Sequence, residues 1–487
     1  MAQSGGGAAK RASLSGDAGG GADGLSALPD DVLVHILLLL DSAAAAGRTS
    51  VLSRRWRRLW ALLPELRFPV APAPHLIASA LASHEASLRH LLVGFDAAAA
   101  APDSAAAWLP LAARRLSGRL TIQNRIKSES AYGGETGASF QVPCFEHATA
   151  ISLDLGFLSL ALPPAGVLAR LVKLSLERVR FAGACDLGAA VSSRRFPCLR
   201  KLTVEYARGL PNLTISSESL LEVKLWHLNG LQRLTVVAPE LKKLKLANCF
   251  AGRRPVADIS APQLVVLMWW DTYDRSSVHF GDLPQLKRLT AHGFYVYGRH
   301  GYESATNRAF VSFLERFQAI HYLHIALTYP MYIGDSQCLM ENLTVLPRLK
   351  TLVLFLQNKG HAFGPSLFHV LRKCTGLKRL GLSFYPNSEL EAQSACPSGC
   401  VCDQPSNWKT EEVTLKRLRE VRIIDLEGTD HEVAFMKRLF IWARKLKRIT
   451  LTYRSISLGK MKEVREKLLC HAMPETHIGL TKYTVYE

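Results

Sequence analysis

The sequence predicts an α/β chain. A small helical N-terminal block leads into a curved solenoid of parallel inner strands with a mixed convex side, closed by a strand–helix–strand cap. Three observations carry this. Residues 25–68 set an apolar block against a basic, tryptophan-bearing one. From about Val142 an apolar–x–x–apolar–x–apolar pattern recurs. At 487 residues the chain exceeds the size at which one compact core stops growing, so several domains or an extended array are expected.

Residues 1–24 are mostly glycine, alanine and serine; with little to bury they are expected to be disordered. In the block 25–69, Asp30 and Asp31 follow Pro29, an arrangement that favours a helix N-terminus. Val32, Leu33, Ile36, Leu37 and Leu40 then form one apolar helical stripe, which Leu38 and Leu39 widen. A helix this short and apolar needs a partner surface. RTSVLSRRWRRLW offers Thr49 or Ser50 as an N-cap, with Val51, Leu52, Trp56, Leu59 and Trp60 on the apolar side. Arg54, Arg55, Arg57 and Arg58 lie between them. One reading is a small helical domain that closes on its own core.

Together, LPDDVLVHIL and RTSVLSRRWRRLW resemble a plant F-box. The run Ala43 to Ala46 with Gly47 departs from the family's more varied loop and leaves the middle-helix boundary open. The resemblance implies docking to a Skp-type adaptor and, through it, to a cullin–RING ubiquitin ligase. It places Leu28, Pro29, Val32, Leu33, Ile36, Leu52, Trp56 and Leu59 at that interface or in the packing that shapes it.

Residues 70–141 read as a linking helical and strand segment, opening on the proline-rich connector 68–74. Residues 142–395 carry the repeats. Leu171–Leu174–Leu176, Leu199–Leu202–Val204, Leu220–Val223–Leu225 and Leu241–Leu244–Leu246 obey the pattern, and it continues to Leu377–Leu380–Leu382. This is the leucine-rich-repeat pattern, one inward-facing strand per repeat, with stacking supplying the core. Starting positions step by 28, 21, 21, 23, 22, 34, 29 and 28 residues. Between Asn212 and Leu286 the short β-branched runs anchored by Val236, Ile259 and Phe280 predict extended segments on the convex side. The longer steps leave room for one helix near Asn307–Phe317 and another near Gly364–Lys373.

Residues 396–407 form a cysteine-containing loop, and 408–487 read strand, turn, helix, strand. Glu432, Phe435, Met436, Leu439, Phe440 and Trp442 make the helix's buried stripe. Lys460–Leu469 reads as a last helix and Tyr483–Tyr486 as a last strand. This arrangement resembles the FBD-type domain that often closes plant F-box and leucine-rich-repeat proteins. Physically it caps an open solenoid end.

Lysine and arginine exceed acidic residues by 19, but the excess is spread along the repeats, as on a solvated scaffold face. The alternative is a basic repeat scaffold that binds nucleic acid or phosphates without ligase assembly. No secretory signal or membrane-length apolar run is visible, which favours the cytoplasm and/or nucleus. The ten cysteines are scattered as expected of reduced, buried thiols. Cys396, Cys400 and Cys402 are the densest group. Their spacing is not the Cys-x-x-Cys of zinc sites; a histidine such as His431 could complete a set in space, but incidental thiols are the simpler reading. No motif of hydrolases, metalloproteases or phosphate-binding loops appears, so neither catalysis nor a cofactor is expected. The middle repeats are rich in aromatics. Trp270, His292 and Tyr329, just beyond inner strands, are the candidates to meet a target protein.

Overall fold

The computed structural model describes residues 28–96, 105–125, 139–163, 165–181, 187, 191–250, 255–299, 301–343, 346, 348–374, 376–384, 400–404, 406–453 and 456–482. The expected leader 1–24, the polar loop 127–137, Cys185, Cys396 and the expected strand Tyr483–Tyr486 lie outside them.

Sixteen parallel strands form one inner sheet in strict chain order, each but the two at the edges hydrogen-bonded to the strand before and the strand after it. It opens with Glu65–Phe68, Leu88–Phe95 and Leu116–Asn124, and closes with Glu420–Ile424, Arg448–Tyr453 and His477–Lys482. Along each strand alternate residues point into the core, so Val223 and Leu225 are buried while Glu222, Lys224 and Trp226 lie on the other side. In the middle of the sheet the register is regular: Val223 stands opposite Leu202 on one side and Leu244 on the other.

The sheet shows no border at 142 or at 408 among the described residues. The same spacing already occurs at Leu63–Leu66–Phe68, Leu88–Leu91–Val93 and Ala148–Ile151–Leu153, and again at Leu418–Val421–Ile423 and Leu446–Ile449–Leu451, all buried. The segment 70–141, read as a link, thus supplies inner strands, and so does the segment read as a cap. Short small residues such as Ala148 and intervening helices obscure the repeat in the sequence.

Step length decides the convex layer. Where repeats advance by 21 to 23 residues, the return path has room only for a short strand. Asn212–Ser216, Arg233–Val237, Val256–Ser260 and Val278–Phe280 form a second parallel sheet, as the β-branched runs predict. Val236, Ile259 and Phe280 are its buried anchors.

Longer repeats fold the surplus into helices. In chain order these follow the three N-terminal helices α1 (Asp30–Leu38), α2 (Ala43–Arg48) and α3 (Trp56–Leu59). They are α4 (Pro74–Ser83), α5 (Leu109–Arg115), α6 (Tyr302–Arg316), α7 (Gly364–Arg372), α8 (Asp430–Trp442) and α9 (Leu458–Leu469). Helix α8 starts with a reciprocal capping box between Thr429 and Glu432 and buries the whole predicted stripe. The first residue of α7, Gly364, has no room for a side chain because the Trp408 ring lies there; a β-carbon would stand 2.4 Å from it.

Two expectations change. The third segment of the N-terminal block is a 3₁₀ turn (Thr49–Val51) broken before the short α3, with no side-chain cap at Thr49 or Ser50. Instead Ser42 caps α2, accepting from Ala45 N–H at 3.2 Å, so the alanine run is helical. Of the eight described cysteines, Cys249, Cys374 and Cys402 are buried as expected. Cys198, Cys338 and Cys470, however, are exposed. Among the described residues no helix is long and apolar enough to cross a membrane.

The helical block is joined rigidly to the sheet. Ala61 O accepts from Glu85 N–H, Pro64 O accepts from Arg89 N–H at 2.7 Å, and buried His84 Nε2 lies 2.7 Å from Leu63 O. Burial pushes the His84 pKa below its ordinary 6.5. The unfolded chain therefore binds the extra proton, and His84 supports folding fully above about pH 6.5 and progressively less below it. His84→Gln keeps a donor for Leu63. In thermal melts, the stability gap between wild type and this variant should narrow from about pH 7.5 to about pH 5.5.

Candidate functional site: an apolar patch and an open sheet face

The N-terminal helices bury Leu33, Leu37, Ala46, Trp56 and Leu59 and close a core continuous with that of the sheet. Arg55 ties the block together: its guanidinium donates to Asp30 Oδ1 at 2.7 Å and to the Leu28 carbonyl. This holds the start of α1 against the segment leading into α3. Being largely exposed, the ion pair fixes geometry more than it stabilises.

Closing that core leaves apolar side chains outside. Val51 is 84% exposed, Leu39 73%, Leu52 62% and Val32 38%. Pro29 is exposed, and Leu28 and Ile36 are half-buried. The eight residues singled out from the sequence thus divide. Pro29, Val32, Leu52 and the outer parts of Leu28 and Ile36 can meet a partner, whereas Leu33, Trp56 and Leu59 shape the block from inside. Val51 and Leu39, outside that set, are the most exposed of these apolar side chains; helical periodicity alone cannot say which flank of a wide apolar stripe stays uncovered. These exposed apolar side chains all belong to the one small N-terminal block.

The open face of the inner sheet is the second candidate. Its N-terminal half is a mesh of cross-strand ion pairs. Glu222 lies between Lys201, Lys243 and Lys245 at 3.5, 3.8 and 3.7 Å, Lys224 pairs with Glu205 at 2.7 Å, and Arg178 binds Asp154. Much of the basic excess on this face is therefore matched locally.

Further along, the face turns aromatic. Trp270, His292 and His324 present neighbouring rings, with centroids 6.3 and 6.5 Å from Trp270. Trp270 Nε1 is enclosed with no hydrogen-bond partner. Desolvation pushes the pKa of both histidines below the ordinary 6.5. A β-bulge sets His292 there: Thr290 pairs with His324 and Gly293 with Ala326, so Ala291 and His292 together oppose one residue.

Tyr329 does not join this ledge. It is 2% exposed, its hydroxyl 2.5 Å from Ser366 Oγ. The chain has left the strand by then and turned the ring into the core. Most of the aromatic wealth is likewise packing, as in the contacts of Phe280 with Trp269, Phe313 and Phe317 where the convex layer changes from strand to helix.

Two further features border this face. A hollow of about 540 Å³ opens where Gly381 replaces a side chain between Val353 and Arg422. A basic cleft of about 770 Å³ at the N-terminal ends of the strands includes His321, Arg348, Lys350, Lys373, Lys416 and Arg417, with no carboxylate among its described lining residues. In the cysteine loop, Cys400 and Cys402 stand beside His361, while His431 is exposed on α8 and takes no part in that group.

Residues 25–68 match the F-box domain. The chain is 31% identical over 282 residues to an Arabidopsis thaliana protein whose name places it among F-box/FBD/LRR-repeat proteins, a match covering 53% of this chain and 54% of that one. It is 46% identical over 66 residues to the F-box/LRR-repeat protein 25 of the same plant, covering 13% and 26% of the two chains. An FBD-associated F-box protein, also from Arabidopsis thaliana, is 52% identical over 46 residues, covering 9% and 11%. The chain thus spans about half the length of the first relative, about a quarter of the second and about a tenth of the third.

Gly293 has φ +134°, and a β-carbon there would stand 2.3 Å from the Ala326 carbonyl oxygen. Gly293→Ala should therefore cost about 1–3 kcal/mol of stability, read as an earlier denaturation midpoint. The neighbouring exposed change His292→Ala should leave that midpoint nearly unmoved.

Proposed function

We propose, from the premise that residues 25–68 are an F-box domain, that this chain is the substrate-recognition subunit of an SCF-type cullin–RING ubiquitin ligase. In this reading the helical block docks a Skp-type adaptor and the repeat solenoid binds the target protein. The observation that carries it is that Val32, Leu39, Val51 and Leu52 stay exposed although the block's own core is complete. Hydrophobic docking would cover what folding leaves uncovered. The chain itself would perform no chemistry. It would raise the effective concentration of a target near the activated ubiquitin held elsewhere in the complex. Rigid attachment of the block to the first strands would fix the direction in which the solenoid holds that target. Trp270 and His292, with His324 beside them, are the proposed target contacts.

The basic cleft favours one other reading, a scaffold that binds nucleic acid or another polyanion. Cationic grooves bind phosphates with steep salt dependence, whereas an apolar adaptor interface responds weakly to salt.

A pull-down of the purified chain with a Skp-type adaptor tests the first reading. Val51→Asp with Leu52→Asp changes only exposed side chains, so circular dichroism should match wild type. Adaptor binding should weaken by about 2–4 kcal/mol, as for loss of interface hot spots, and Leu28→Ala with Pro29→Ala should weaken it in the same direction. A well-folded wild type that ignores the adaptor, but binds nucleic acid in a salt-sensitive way, would transfer the assignment to the scaffold reading.

A further inference from the structure

We propose that His361, Cys400 and Cys402 form a zinc site that staples the loop after the thirteenth inner strand to the repeat before it. The donor atoms of the three side chains lie within 4.8 Å of one another. Cys400 Sγ is 3.6 Å from His361 Nδ1. A tetrahedral zinc ion, with Zn–S of about 2.3 Å and Zn–N of about 2.0 Å, holds sulfur and nitrogen roughly 3.5 Å apart. That pair is already at ligand spacing.

The second nitrogen of the ring supports the same geometry. His361 Nε2 lies 3.2 Å from the Met331 carbonyl, which can accept its proton and leave the Nδ1 lone pair facing the thiols. Ligating histidines make this kind of outer hydrogen bond, which fixes tautomer and ring orientation. Cys402 Sγ accepts the Ala362 N–H at 3.4 Å, which holds the sulfur in place. His361 and Cys402 are buried and Cys400 is half-buried, so the group is walled on one side and open on the other.

Charge and donor type select the ion. Two thiolates and a neutral imidazole cancel the charge of Zn²⁺, so the complex would bury no net charge. Hard cations prefer oxygen donors, while two sulfurs and one nitrogen suit zinc. Binding would release the two thiol protons, and a fourth position would remain for water or another donor.

The ion would close a loop, since Cys400 and His361 are 39 residues apart in sequence. It would also brace contacts already made by this loop. Tyr297 Oη donates to the Cys402 carbonyl at 3.4 Å, and Trp408 Nε1 donates to Asp403 Oδ1 at 3.1 Å beside Gly364.

Metal analysis of the full chain, purified without chelator, tests this. The expected content is about one zinc per chain. Replacement by cobalt should give the sulfur-to-metal charge-transfer band and intense visible bands of a tetrahedral thiolate site. Cys400→Ser alters a half-exposed side chain and should keep the circular dichroism of wild type while retaining zinc at least tenfold more weakly. His361→Ala should lose the metal as well, and Cys470→Ser, at an exposed thiol outside the group, should keep it. A folded wild type that takes up neither zinc nor cobalt would overturn the proposal. So would a folded Cys400→Ser chain that holds zinc as tightly as wild type.

Discussion

No single repeat in this chain can bury its own apolar face, and the rest of the structure depends on that constraint. Val223 and Leu225 are covered only because Leu202 and Leu244 stand in register on either side. The backbone follows the same rule, with each strand using its donors and acceptors on both neighbours. The ladder even continues past the strand ends. Tyr206 and His227 follow their strands directly in left-handed conformations, with φ of 53° and 51°. Their N–H groups still bond the next repeat, at 2.8 and 2.9 Å. Such a backbone costs a non-glycine residue about 1–2 kcal/mol. It is kept because it turns the chain sharply toward the convex layer without breaking the stack.

This architecture explains why the helical block matters mechanically. Leu66 and Phe68, the first inward residues of the sheet, belong to the same core as Leu33, Trp56 and Leu59. A partner seated on the exposed flank of the block would therefore be coupled to a long sheet through packed side chains, not through a flexible tether. Arg58 and Glu85 add an exposed ion pair across the same junction, a small contribution to energy but a further constraint on orientation.

The open face shows how composition can mislead. A net charge of +19 invites a uniformly basic surface, yet Glu205 and Glu222 sit in register to meet lysines from adjacent strands. Cations also lie over rings, as Arg288 does above Tyr322 at 4.2 Å. Positive side chains distant in sequence also converge at a cleft near the strand N-termini, whose described lining holds no carboxylate.

The sequence by itself determined the class of fold, the F-box-like opening, the strand positions from Leu171 to Leu382 and the choice of strand or helix on the convex side. Each of these is local: spacing places the leucines, and step length limits what can return between them. The buried stripe of α8 was readable for the same reason. Only the tertiary structure decided which flank of the N-terminal helices stays bare, that Tyr329 turns inward while Trp270 and His292 do not, and that His361 and not His431 stands beside Cys400 and Cys402. Those outcomes depend on what neighbouring repeats cover, on a bulge set by Gly293, and on a 39-residue separation in sequence that stacking reduces to contact. Periodicity records which residues must be buried together; it does not record which distant loops the stack will bring side by side.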